Sequence, residues 1–151
     1  MTEDVVRDRL AHIGYCLHLL DRIRTMSFEE WHSDPWVYAG SLRYLQEAIE
    51  AALDVAQYLD RAHGWGRPKE YGEAMRICTE HLRMDEATRT RLVSMARFRN
   101  ILVHEYADLD DRLVFSLLTH RLDDLSVFSQ AVDRFLSADR QSRAGDDVRS
   151  E

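Results

Sequence analysis

Leu45-Gln46-Glu47-Ala48-Ile49-Glu50-Ala51-Ala52-Leu53-Asp54-Val55-Ala56-Gln57-Tyr58-Leu59 is the stretch whose periodicity decides the fold. Leu45, Ala48, Ala52, Val55 and Leu59 recur at helical spacing and form one apolar stripe, the pattern of a helix that buries one side. Asp34-Pro35 opens the helix, with an N-cap carboxylate followed by proline at the first helical position. Gly64-Trp65-Gly66-Arg67-Pro68 is a loop that closes it. The spacing therefore predicts a long helix from about Pro35 to Ala62. A second, polar ridge runs beside the stripe: Arg43, Glu47, Glu50 and Asp54, at steps of four, three and four. Two readings of this ridge stay open. It is an exposed, ion-paired face, or it is a polar surface turned toward Arg99 and His104.

The same reasoning extends outward. Val6, Leu10, Ile13, Leu17 and Leu20 share one face of a first helix from about Glu3 to Arg24. Ser27-Phe28-Glu29-Glu30 is a capping box with Met26 and Trp31 as its staple, which predicts a short helix. A helix from about Lys69 to Leu82 carries Tyr71, Met75, Cys78 and Leu82 on one side, and Asp85 caps the next, which carries Leu92, Met95, Arg99 and Tyr106. Asp108 or Asp110 caps a last helix to about Ser137, with Leu118, Leu122, Leu125, Val132 and Phe135 as its apolar positions. No segment alternates as a strand would. The expected fold is all-α, an up-down bundle of four long helices plus a short helix. Residues 1–137 form the bundle domain, and 138–151 read as a flexible polar tail.

The chain has 151 residues, enough for one domain with a real core. It has no apolar run of membrane-spanning length, and its acidic start does not resemble a signal peptide. Cys16 and Cys78 lie among apolar positions without metal-ligand spacing, so buried thiols in a cytoplasmic protein are expected. A net charge of −7 argues against a protein that coats nucleic acid. Locally the balance differs: Arg89, Arg91, Arg97 and Arg99 lie in a run without an acid. That run is a solvated helix face or a small basic site on an acidic body.

Arg99-Asn100-Ile101-Leu102-Val103-His104-Glu105-Tyr106 carries the candidate chemistry. Arginine binds phosphate and histidine moves protons near neutral pH. With 19 arginines and seven histidines in the chain, an Arg–His spacing of five arises by chance about once. Three occur, at Arg7/His12, Arg76/His81 and Arg99/His104, so the spacing cannot choose among them. Context favours the third, where Asn100 and Tyr106 accompany the pair at a helix end. On an ideal helix Arg99 and His104 are rotated apart by about 140°. They converge if the helix ends between them or if a second subunit supplies the partner.

This octapeptide resembles the Arg-x-x-x-x-His-x-Tyr signature of the HepT toxins, within the HEPN ribonuclease superfamily. The likeness extends over roughly Asp4 to Leu136, including Phe28, Pro35, the Arg43 to Ala56 segment, Pro68, Tyr71 and the Met95 to Asp110 stretch. The resemblance implies a homodimeric helical bundle, the toxin of a type II toxin–antitoxin system, paired with an MNT-type nucleotidyltransferase antitoxin. It implies metal-independent, cofactor-free RNA cleavage, with His104 transferring the proton, Arg99 stabilising the phosphoryl oxygens and Asn100 orienting the pair. It implies one groove built from both subunits. Tyr106 would be the hydroxyl on which the antitoxin places AMP, blocking the groove with a bulky anion.

Two rival readings remain. One is a non-catalytic helical dimer that serves as partner and AMPylation substrate of a nucleotidyltransferase. The other is a plain interaction module in which His104 is an enclosed core histidine.

Overall fold

The computed structural model describes residues 2–150; the side chain of Tyr106 lies outside the described residues. The chain is helical throughout, with no strand among the described residues. Its elements are α1 (Glu3–Leu20), a 3-10 turn (Asp21–Thr25), α2 (Phe28–Ser33), α3 (Pro35–Ala62), α4 (Tyr71–His81), α5 (Glu86–His104), a second 3-10 turn (Tyr106–Asp108), α6 (Asp111–His120) and α7 (Asp123–Arg149).

The central helix α3 has the predicted limits. Asp34 accepts the N–H groups of Trp36 and Val37, and Pro35 occupies the first turn. Leu45, Ala48, Ala52, Val55 and Leu59 are fully enclosed. Ala51 and Ala56 join them in the core, and such small side chains let neighbouring helices approach α3 closely. Helices α1, α4, α5 and α7 all pack against it. At the capping box, the Ser27 hydroxyl accepts from Glu30 N–H at 3.1 Å and Glu30 accepts from Ser27 N–H at 2.9 Å. The buried Trp31 donates from Nε1 to Ser41 Oγ at 2.8 Å, tying α2 to α3. Both cysteines are free and buried, as expected.

Three boundaries differ from the sequence pattern. The first helix stops at Leu20 and tightens into the 3-10 turn. The expected last helix is two, α6 and α7, because the chain turns at Arg121–Leu122 through i+3 bonds from Asp124 N–H and Leu125 N–H. A distant ion pair anchors the restart: Arg91 on α5 donates to both oxygens of Asp124, at 2.9 and 3.1 Å. Local periodicity carries no information about such a contact. Finally, the segment read as a frayed tail continues α7 to Arg149. No Pro interrupts it, and Arg143 pairs with Asp139 one turn away at 3.2 Å. Leu136 is nevertheless the last buried side chain of the helix.

Candidate functional site

Arg99 sits on the last turn and a half of α5, facing α3. Its Nε and Nη2 both lie 3.2 Å from Glu50 Oε1. Its Nη1 donates to Asn100 Oδ1 at 3.3 Å, and its guanidinium stacks over the Tyr71 ring at 5.0 Å from the centroid. Gln46 donates to the same Glu50 oxygen at 3.1 Å. The arginine side chain is 20% exposed and Glu50 35%. Such a guanidinium is held by three neighbours yet reachable from solvent, a positioned cation rather than a free one.

The polar ridge of α3 therefore splits. Glu50 meets Arg99, as the sharper reading of the ridge required. Two others face α1: Asp54 accepts from Arg9 at 3.2 Å, and Glu47 lies 3.9 Å from His12, while Arg43 lies 3.8 Å from Glu47 on its own helix. The ridge makes no hydrogen bond or ion pair with His104 among the described residues.

His104 is the final residue of α5 and is exposed. Its imidazole has no hydrogen bond or ion pair among the described residues. Because α5 continues unbroken to His104, the rotation of about 140° between Arg99 and His104 holds, and one protomer does not bring them together. The exposure also removes the reading of His104 as an enclosed core histidine. His104 instead shares a stripe with Arg97 and Ile101, within about 20° of the former.

The basic run of α5 divides as well. Arg91 is spent on Asp124, Arg89 lies 3.8 Å from Glu80, and Arg99 is held by Glu50. Arg97 alone of the four has no ion pair among the described residues. It lines an open hollow of about 550 Å³ together with Gln57, Arg61, Pro68, Lys69, Glu70, Tyr71, Gly72 and Asn100. An apolar hollow of about 500 Å³ on its other side is walled by Met95, Phe98, Ile101, Leu113 and Leu117. Ile101 is 41% and Leu113 56% exposed there.

Sequence spacing missed two features. The hollow gathers residues from α3, the loop before α4, α4 and α5, which no local pattern links. The second is a trio, His12, Cys16 and Glu47, whose donor atoms lie within 4.8 Å of one another. The His12/Cys16 separation of four was its one visible signal. Burial, and then the Glu47 carboxylate, push the Cys16 thiol up to about 11. The thiol thus stays protonated, 3.6 Å from His12 Nε2. The trio could offer three ligands to a metal, and it equally serves as a polar contact between α1 and α3.

A family model described as "Ribonuclease HepT-like" matches residues 13–132. The chain belongs to this HepT-like family. The mRNA nuclease HepT of Shewanella oneidensis is 22% identical over 129 residues, covering 85% of this chain and 96% of the relative. The tRNA nuclease HepT of Aphanizomenon flos-aquae is 23% identical over 132 residues, covering 87% and 90%. Among solved structures, a tri-AMPylated Shewanella oneidensis HEPN toxin in complex with MNT antitoxin superimposes with a TM-score of 0.77 at 21% identity, covering 89% of this chain and 99% of that one. A cytosolic Bacillus subtilis protein of unknown function, YutE, gives 0.80 at 17%, covering 92% and 93%. The HepT-like fold is thus shared along nearly the whole chain. No helix among the described residues is long and apolar enough to cross a membrane.

Proposed function

We propose that this HepT-like protein is the toxin of a type II toxin–antitoxin pair, a metal-independent endoribonuclease of the cytoplasm, and that residues 1–137 are its functional unit. The observation that carries the reading is a braced Arg99 and, at the end of the same helix, an exposed His104 with no hydrogen bond or ion pair among the described residues. His104 takes the proton from a ribose 2′-hydroxyl. The freed oxygen attacks the adjacent phosphorus and the P–O5′ bond breaks. A proton returned to the leaving 5′-oxygen completes the balance, leaving a 2′,3′-cyclic phosphate and a 5′-hydroxyl. Arg99 offsets charge that builds on the phosphoryl oxygens. Glu50 and Tyr71 hold the guanidinium in place for that task, and the Asn100 amide NH₂ is a further donor beside it.

Within one chain the two groups diverge, so the working site is that of a homodimer in which Arg99 and His104 of facing protomers line one groove. Two features support this. The apolar side chains of Ile101 and Leu113 are exposed over the buried Phe98, and Ile101 lies one turn before His104. A contact over that surface would bring both His104 side chains toward the seam. The partner is an MNT-type nucleotidyltransferase, a reading supported by the complex of the Shewanella oneidensis HEPN toxin with MNT antitoxin. Tyr106, two residues beyond His104, is the proposed acceptor of AMP, an anion that would repel RNA phosphates from the groove.

His104→Ala tests the reading. Cleavage of single-stranded RNA by the purified protein should be lost while helicity and melting are retained. Undiminished cleavage by this variant sinks the assignment. Wild-type protein that cleaves no RNA, yet gains AMP mass when given the transferase and ATP, would move the balance to the non-catalytic adaptor.

A further inference from the structure

Most arginines of this acidic chain are tied to carboxylates. Arg7, Arg9, Arg24, Arg43, Arg76, Arg89, Arg91, Arg99, Arg140 and Arg143 all have a carboxylate within 4.0 Å. Arg61, Lys69 and Arg97, which line the 550 Å³ hollow together, are among the cations with no ion pair among the described residues. They come from three different elements, α3, the loop before α4, and α5, and all three are exposed. One acid, Glu70, lines the hollow with them. Glu73 is nearby, accepting the Lys69 backbone N–H at 3.3 Å. Asp54, on the rim of the adjoining hollow, is already held by Arg9. The hollow is thus a net positive concavity on a chain of net charge −7. Gathering unpaired like charges is unfavourable by itself, so such a cluster suits an anionic ligand.

Its position is informative. Tyr71 and Asn100 belong both to the wall of the hollow and to the shell of Arg99. Arg97 lies on the His104 stripe, about 10 Å back along the helix axis. The stem of Arg97 is laid across Gly72: a Cβ at residue 72 would stand 2.8 Å from Arg97 Nε and 3.0 Å from its Cγ. Glycine there admits the arginine to the hollow.

We propose that Arg61, Lys69 and Arg97 form a phosphate-binding subsite that tracks the backbone of single-stranded RNA away from the scissile phosphate. The proposal rests on the ribonuclease reading for its substrate. Cations on separate elements along a groove hold a strand without reading its bases. Three such cations lining one hollow give this acidic protein a local place to engage RNA.

The test uses the full chain with Arg61→Gln, Lys69→Gln and Arg97→Gln combined. A fluorescent 2′-O-methyl RNA of about twelve nucleotides is the binding probe, because it lacks the attacking hydroxyl and spans a plausible site. The triple variant should bind at least about ten-fold more weakly at low salt, and the slope of log K against log[salt] should fall by about 2, from three contacts at about 0.7 each on single strands. Arg61→Lys and Arg97→Lys should retain both. On cleavable substrates, the loss of kcat/KM should be at least about five-fold larger for the long RNA than for a ribodinucleotide, which does not reach the hollow. Unchanged affinity and salt slope overturn the proposal, as does an equal loss on both substrates. If the wild type cleaves nothing but its binding still depends on these three cations, the subsite stands and the ribonuclease reading falls.

Discussion

Asp60 is the residue whose replacement the structure predicts most sharply. It is fully enclosed near the C-terminal end of α3, and neither carboxylate oxygen has a hydrogen-bond partner among the described residues. Its main-chain carbonyl accepts from Trp65 and Gly66, at 2.8 and 3.2 Å, so the loop folds over it. The Arg76 guanidinium turns to Glu80 instead. Burial raises its carboxyl from the ordinary 3.8 to about 7, against a smaller opposing pull from Arg76. The folded chain holds this proton up to about pH 7, whereas the unfolded chain releases it near pH 4. Between those values the folded state binds the extra proton, so stability falls as pH rises. A shift of about three units at 1.36 kcal/mol each corresponds to about 4 kcal/mol once the pH exceeds 7, with about 3 kcal/mol of it accruing between about pH 5 and 8.5. Asp60→Asn stays neutral throughout. Urea unfolding of both proteins, followed by circular dichroism at steps of pH, isolates the term as their difference. The wild type should lose about 3 kcal/mol relative to the variant across that range. Glu3, Glu30 and Asp85 are shifted the other way, below the usual carboxylate range, by hydrogen bonds from Arg140, Ser27 and Thr88 respectively. Their contribution is lost at lower pH and is common to both proteins. A difference constant within about 0.5 kcal/mol across that range would refute the account of Asp60 as an enclosed, unpartnered acid.

Other expectations follow from the same contacts. Glu50→Ala removes the brace of Arg99, and kcat on RNA should drop about ten-fold or more while stability changes by no more than about 1 kcal/mol, since the pair is partly exposed; Glu50→Asp should recover part of the rate. Gly72→Ala forces Arg97 off its path and should weaken binding of the uncleavable RNA without lowering the melting temperature by more than about 4 °C. Trp31→Phe deletes the bond to Ser41 and leaves a gap, which should cost about 1–3 kcal/mol in chemical denaturation. Removing residues 138–151 takes away exposed contacts such as Arg140 to Glu3, and calorimetry should register a loss of no more than about 4 °C.

The limits of α3, its Asp34–Pro35 start, the capping box at Ser27 and the burial of its apolar stripe were legible in the sequence. Each depends on residues within a few positions of one another, where helical spacing and backbone capping act. The Arg99 to Tyr106 block stood out as a polar cluster at a helix end, and the family it resembles is the one the chain belongs to. The ridge Arg43, Glu47, Glu50 and Asp54 was visible as a line but not as a division. Which member meets Arg99 and which meets Arg9 or His12 depends on how α1 and α5 cross α3. The same holds for the split at Arg121, set by an ion pair from Arg91 to Asp124 across two helices. The hollow of Arg61, Lys69 and Arg97, and the enclosure of Asp60, were decided by tertiary packing alone. Local sequence determines where a helix begins, ends and buries its stripe. Which charges are neutralised and which are left facing a groove is settled when distant helices meet, because electrostatic pairing acts over ångströms in space and not over positions in the chain.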